Sequence, residues 1–199
     1  MGLEENISNV VKMFPEVERN QKVVIGIDGL SRAGKTTFVQ SIERHMQEKK
    51  IPVCVFHIDD YIVERKSRYH TRYEAWYEYY YLQWDIKYLK KYLFERLKDT
   101  TELPLRTYDD CSDTQSLQTV NIPDTCLIII EGVFLQRKEW RHHYDFMIYL
   151  DSPREKRFHR ESNAARSDRE KFEKRYWKAE DYYLETVSPL EQADIVVRN

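Results

Sequence analysis

Glycine is scarce in this sequence, at 5 of 199 residues, and cysteine is scarcer, at 3. Cys54, Cys111 and Cys126 lie far apart with no C-x-x-C spacing, which excludes a disulfide framework and gives no zinc-site pattern. No uninterrupted apolar run exceeds 5 residues, as in Cys126–Ile130, whereas a membrane-spanning helix needs roughly 20. The opening MGLEENISNV has no basic-then-apolar signal pattern, and Gly2 lacks the downstream Ser or Thr of a myristoylation signal. A cytoplasmic protein without a membrane partner is the expectation. An excess of one charge sign is also missing: 32 basic against 34 acidic residues leave a net charge of −2, so no global field favours nucleic acid. Any anion site must be built locally.

Against that scarcity, Gly26, Gly29 and Gly34 crowd into the stretch IGIDGLSRAGKTT, from Ile25 to Thr37. Gly29, Gly34, Lys35 and Thr36 satisfy G-x-x-x-x-G-K-[ST]. The flanks suit that motif. Val23, Val24, Ile25 and Ile27 read as a buried strand, and Phe38, Val39, Ile42 and Met46 recur at helical spacing. A glycine-bearing loop between strand and helix turns consecutive N–H groups, here through Ser31, Arg32 and Ala33, onto phosphate oxygens, and the helix N-terminus adds partial positive charge. Lys35 then bridges the β- and γ-phosphates, the Thr36 hydroxyl completes a Mg²⁺ shell, and Thr37 makes a secondary phosphate contact. ATP and Mg²⁺ are the expected cofactors, with the nucleotide base preference left open.

Five short apolar stretches, Lys22–Asp28, Val53–Ile58, Cys126–Glu131, Phe146–Leu150 and Asp194–Val197, are separated by segments of crossover length. That pattern predicts an α/β fold of three layers, α/β/α, around a five-stranded parallel sheet, with function at the strands' carboxyl ends. A single domain over 1–199 is expected, with a helical lead-in over 1–20 through Ile7, Val10, Val11 and Phe14. A second helix is predicted from Asp85, with Ile86, Leu89, Leu93 and Leu97 on one face. The aromatics of RYHTRYEAWYEYYYLQW are expected mainly to cover core or an interface.

Carboxylates follow the strands as that rule requires. Asp59, in HIDDY, is the candidate base that accepts the proton of an attacking hydroxyl, with capping of a turn by the Asp59–Asp60 pair as the competing reading. Glu131, after CLIII, is placed to reach Mg²⁺ directly or through water. The later run holding Arg154, Arg157, Arg160, Arg166, Arg169 and Arg175 reads mostly as a solvated helical face, with one or two arginines free to close as a lid. His57, His70, His142 and His143 lack metal-ligand spacing and are assigned no metal.

With these residues in place the chain resembles the phosphate-loop small-molecule kinases that include uridine/cytidine kinase, nicotinamide riboside kinase and phosphoribulokinase. The likeness runs over roughly residues 20–199: IGIDGLSRAGKTT resembles the opening strand and loop, HIDDYI the strand with the catalytic aspartate, LIIIEGVF the acidic third strand, and YYLETVSPLEQADIVVRN the last helix and strand. The resemblance implies a small lid at about 152–170, with Arg160 and Arg166 as its candidates, and an acceptor-site hairpin. It also implies that Asp59 is the catalytic carboxylate, that Glu131 is linked to Mg²⁺, and that Asp85, in WD, lies near the acceptor's sugar. The stretch LRTYDDCSDTQ resembles the uridine kinases' base-recognition hairpin through Tyr108 and Asp109. It departs from it at Asp110 and Asp113, where an aromatic residue and a histidine are expected. Carboxylates lining a pocket disfavour an uncharged pyrimidine and favour a hydroxyl-rich or cationic acceptor. The function expected is phosphoryl transfer from ATP to a hydroxyl of a small metabolite, a nucleoside or ribosyl compound. A regulatory GTPase is the main rival, although the N-K-x-D string that would select guanine is missing. A nucleotide-binding module without turnover is the other.

Overall fold

The computed structural model describes residues 3–199. Five strands, β1 (Lys22–Asp28), β2 (Val53–His57), β5 (Cys126–Gly132), β6 (Phe146–Asp151) and β7 (Ile195–Arg198), form one parallel sheet in the order β2–β5–β1–β6–β7. The strands β3 (Glu102–Asp109) and β4 (Thr114–Asn121) form a separate antiparallel hairpin.

Strands β1 and β5 are buried at every position, as continuous apolar strands covered on both faces must be. Their side chains alternate between two cores. Val23, Ile25, Ile27, Leu127 and Ile129 pack with Ile7, Val10 and Val11 of α1 (Leu3–Val11) and with Phe38, Val39, Ile42 and Met46 of α2 (Lys35–Glu48). Val24, Ile128 and Ile130 face the opposite layer, which holds Leu89 of α3 (Ile86–Tyr92), Phe134, Trp140 and Tyr183 of α5 (Lys178–Val187). A three-layer α/β/α arrangement follows, with the loops after β1, β2 and β5 at one edge of the sheet. Among the described residues no helix is long and apolar enough to cross a membrane.

Two helices are shorter than their apolar spacing predicts. The lead-in helix stops at Val11, and Phe14 packs on Phe146 at 5.7 Å between ring centres. Pro15 disfavours the helical conformation at the residue before it. Helix α3 stops at Tyr92, and Leu93 breaks it at φ −108°, ψ −72°. A 3₁₀ turn at Phe94–Arg96 then brings Phe94 onto Trp140, with ring centres 5.0 Å apart, while Leu93 and Leu97 stay buried.

The tyrosine-rich segment forms one short helical turn, Ala75–Tyr77, continued by a π-helical Glu78–Leu82. Tyr79, Tyr80 and Trp84 go into the core, and Tyr81, packed against it, leads outward through Tyr77 to exposed Tyr73, with ring centres 4.5 and 4.4 Å apart. The arginine run divides as well: Arg157 and Arg175 are buried, paired with Glu180 at 2.9 Å and Glu78 at 2.8 Å. These two arginines are structural, while Arg154, Arg160, Arg166 and Arg169 stay at least partly exposed, as the reading of most of the run as a solvated face expects.

Candidate active site

The loop after β1 begins on a buried acid. Asp28 Oδ1 accepts from the Gly29 N–H at 2.8 Å, and its other oxygen accepts from Gln136 Nε2 at 3.1 Å and from the Tyr183 hydroxyl. Burial raises the Asp28 pKa, and these hydrogen bonds oppose the rise. Gly34 ends the loop at φ +99° as the N-cap of α2, in the left-handed region that glycine enters without a Cβ penalty. Lys35 and Thr36 follow on the first turn of α2. Lys35 Nζ donates to the carbonyls of Gly29 at 2.9 Å and Leu30 at 3.1 Å, and burial lowers its pKa, with Glu131, Asp59 and Asp28 opposing. Phosphate charge beside this ammonium would act in the same direction as those carboxylates.

Parallel pairing carries the other carboxylates to the same edge. In register, Glu131 stands beside Ile27 of β1 on one side and His57 of β2 on the other. Glu131 Oε1 accepts from the Thr36 hydroxyl at 2.9 Å and lies 2.7 Å from His57 Nδ1. Burial raises the Glu131 pKa, but His57, Lys35 and Thr36 prevail and hold it below the usual carboxylate value. Asp59 sits in the 3₁₀ turn Ile58–Tyr61 that follows β2, anchored by Trp84 Nε1 donating to the Ile58 carbonyl at 2.9 Å. Its side chain is open to the cavity, yet desolvation by the surrounding walls is the largest influence on it and raises its pKa. Glu131 and Asp60 add to the rise, and Lys35 and His57 oppose it.

These groups open onto one cavity of about 800 Å³. Its walls include Ser31, Arg32, Gly34, Lys35, Thr36 and Thr37 of the loop and helix, together with Asp59 and Glu131. Gly29 and Ala33 shape the loop from behind, Ala33 fully buried with its carbonyl accepting from Asn199 Nδ2 at 2.7 Å. Among the described residues no three His, Cys, Asp or Glu side chains converge as a metal cage. The donor set at Thr36 and Glu131 fits instead a cation carried on phosphates, since Mg²⁺ takes one or two protein oxygens in such sites.

The far wall comes from the segment after α4 (Arg154–His159), and the lid candidates separate there. Arg160 lines the cavity and donates to the Arg32 carbonyl at 2.9 Å. Arg166 is not on the cavity wall and bonds Asn163 on its own short helix. Lys171, Phe172 and Tyr176 line the cavity instead, so the wall extends past the expected 170 boundary. Sequence reasoning missed Lys171 because it is one cation within a dense charge run. It also missed the clamp beneath the loop. Glu180 on α5 accepts both Arg157 nitrogens at 2.9 Å and the Ser31 N–H at 3.2 Å, while Arg157 also donates to the Ser31 carbonyl at 3.0 Å.

Apart from Asp59, the residues assigned to the acceptor lie elsewhere. Asp85 caps α3, accepting from the Tyr88 N–H at 2.9 Å, and opens onto a separate 200 Å³ cavity with Tyr61, Glu64, Arg106 and Gln115. At the hairpin tip, Asp110 is 80% exposed and pairs with Arg65 at 2.7 Å. Asp113 accepts from the Arg65 N–H and from the Tyr108 hydroxyl, each at 2.8 Å. Tyr108 is thereby tied to Asp113 and, at 3.2 Å, to Arg68. Neither Asp110 nor Asp113 is on the main cavity wall; Asp110 lines a separate cavity of about 440 Å³ with Arg65, Arg68 and His70, and both carboxylates are paired, so the expectation of unpaired charges does not hold. The argument against a pyrimidine acceptor loses its basis with them.

Gly132 closes β5 beside the Asp59 turn. A Cβ there would stand 2.0 Å from Ile58 Cγ2 and 3.0 Å from Ile58 Cβ, with Ile58 fully buried and next to Asp59. Gly132→Ala is expected to destabilise the fold by about 1–3 kcal/mol through overpacking. A thermal melt should show a fall of several degrees, and an unchanged midpoint would mean that Ile58 has room to move.

Comparison with known proteins agrees with this architecture. Residues 24–199 match the family model described as the phosphoribulokinase / uridine kinase family. The chain is 26% identical over 134 residues to a uridine kinase of Staphylococcus epidermidis, covering 67% of this chain and 63% of that one. It is 28% identical over 136 residues to a uridine kinase of Borrelia garinii, covering 68% and 63%. The chain thus spans 63% of the length of these curated relatives. A solved structure described as a possible uridine kinase from Bacillus stearothermophilus is 48% identical, covers 98% of this chain and 99% of its own, and superposes with a TM-score of 0.87. The chain belongs to the phosphoribulokinase / uridine kinase family.

Proposed function

We propose that the protein is a cytoplasmic ATP- and Mg²⁺-dependent kinase that transfers the γ-phosphoryl group to a hydroxyl of a nucleoside or other ribosyl compound. The observation that carries this reading is the opening of Lys35, Thr36, Asp59 and Glu131 onto one cavity, with a phosphate loop as its floor. A binding module without turnover has no use for a proton acceptor beside that loop, and the N-K-x-D string by which a regulatory GTPase selects guanine is missing from the sequence.

In this reading the N–H groups from Gly29 to Thr37 hold the triphosphate, and Lys35 spans its β- and γ-phosphates. Thr36 and Glu131 would hold Mg²⁺ carried with the nucleotide, and the ion would supply positive charge against the phosphate oxygens. Asp59 orients the acceptor hydroxyl and takes its proton as the oxygen attacks. Arg160 and Lys171 bring positive charge from the lid side, and Phe172, Tyr176 and Val133 give the cavity an apolar wall. Excluding water matters, because water competes with the acceptor.

The names of the relatives make uridine the first acceptor to test, and the paired state of Asp110 and Asp113 removes the objection to it. The experiment is acceptor-dependent ADP release measured across nucleosides, ribosyl cofactors, sugar phosphates and polyols. No acceptor-dependent release from any of them would sink the kinase reading.

The raised pKa of Asp59 sets a pH dependence. A base must be ionised to work, so activity is lost as pH falls through that pKa. The acidic limb of kcat/KM for the acceptor should therefore lie above the ordinary aspartate value of about 3.9. Asp60 contributes to the rise by like charge, so Asp60→Asn should move the limb to lower pH. A limb that Asp60→Asn leaves in place would argue that another group titrates there.

A further inference from the structure

His57 opens the HIDDYI stretch and touches the proposed metal-linked carboxylate, yet neither the base nor the phosphate loop accounts for it. It closes β2 opposite Glu131 in the parallel β2–β5 register, so the two side chains leave the sheet side by side. His57 Nδ1 is 2.7 Å from Glu131 Oε1, and the Thr36 hydroxyl donates to that same oxygen at 2.9 Å. Among the described residues no hydrogen bond reaches Glu131 Oε2. The His57 side chain is 41% exposed, so it fills no space in the core. A histidine at a strand's carboxyl end, half in solvent and bonded to a buried acid, does not owe its place to packing.

We infer that His57 is a positioning residue for Glu131. It donates from Nδ1 and, with Thr36, immobilises Oε1, leaving Oε2 for the cation carried by the nucleotide or for that cation's water. A carboxylate partner at this distance selects the tautomer or cation that bears a proton on Nδ1. Thr36 fits the same arrangement, since its hydroxyl proton is committed to Glu131 and its lone pairs stay available to a cation. The side chain of a free glutamate rotates, whereas one held from two elements presents its second oxygen in a fixed direction. Partners that orient ligating carboxylates in this way typically contribute tenfold to a hundredfold in metal affinity.

The inference rests on the kinase reading above, and a binding experiment without turnover separates the two. ATP affinity of the full chain is measured by calorimetry in EDTA and in saturating Mg²⁺, for the unsubstituted protein, His57→Ala and His57→Asn. Thermal melts are run alongside. The unsubstituted protein is expected to bind ATP more tightly with Mg²⁺. His57→Ala should lose roughly tenfold of that gain while keeping its affinity in EDTA and its melting midpoint. His57→Asn, whose amide can place a donor near the position of Nδ1, should recover most of the loss. A Mg²⁺ gain in His57→Ala equal to that of the unsubstituted protein overturns the assignment. Equal impairment in the Ala and Asn variants overturns it as well, because a contact with no donor requirement is not positioning by a hydrogen bond. Absence of any Mg²⁺ gain in the unsubstituted protein would remove the metal-linked role of Glu131 itself, and His57's role with it.

Discussion

Lys35→Ala is expected to lower kcat by about a hundredfold or more, the size of loss that follows removal of other preorganised charge stabilisers. The ammonium sits among the loop carbonyls of Gly29 and Leu30, with Asp28, Glu131 and Asp59 as the carboxylates that favour its charged form. Charge on the transferring phosphoryl group and its bridging oxygen shifts as the bond to the β-phosphate breaks. A fixed cation there interacts more strongly with the transition state than with bound ATP, so the loss should appear in kcat more than in KM. The fold should survive the change, because Asp28 is held by Gly29, Gln136 and Tyr183 and does not depend on Lys35. Steady-state kinetics with a folded variant tests this. A folded variant with normal turnover would show that the loop does not serve phosphoryl transfer.

The central sheet was legible because its signals are local. Each strand is a short apolar run, and the glycines and Lys35 of the loop stand between a run of one period and a run of another. The carboxylates after the strands were legible for the same reason: the end of a run is visible in sequence, and chemistry collects there in parallel sheets. What depended on pairing between distant segments was not visible. Arg65 reaches Asp110 and Asp113 across 45 and 48 residues, so two carboxylates that look unpaired in LRTYDDCSDTQ are neutralised from another element. Arg157 and Glu180, 23 residues apart, look like members of a solvated charge run until α4 and α5 pack against Ser31. His57 becomes part of the site only through strand order, since β2 must lie next to β5 for it to meet Glu131. The helix ends failed for a smaller reason. Apolar spacing continues through Phe14 and Leu97, but Pro15 and the inward turn of Phe94 end the helices sooner.

Asp59→Asn should abolish most turnover while leaving ATP binding intact. The change removes a proton acceptor but keeps size and hydrogen-bonding capacity, so the Ile58–Tyr61 turn and its anchor from Trp84 should persist. General-base contributions are typically 10²- to 10⁴-fold, and a loss in that range is expected in kcat. Two neighbours make the choice of carboxylate testable. Asp60 follows Asp59 in the same turn but does not line the cavity, whereas Asp59 faces it together with Lys35 and Glu131. Asp60→Asn should therefore shift the pH profile and spare most of the rate. Glu131→Gln should weaken the Mg²⁺ dependence, because its hydrogen bonds run to Thr36 and His57 and not toward an acceptor. The measurements are kcat and ATP affinity for all three variants at the pH optimum. If Asp60→Asn carries the whole loss and Asp59→Asn turns over normally, the base is the other member of the pair and the acceptor approaches from outside the cavity described above. If both retain activity, the hydroxyl is deprotonated by no residue of this turn, and transfer would depend on the charge clamp of the loop alone.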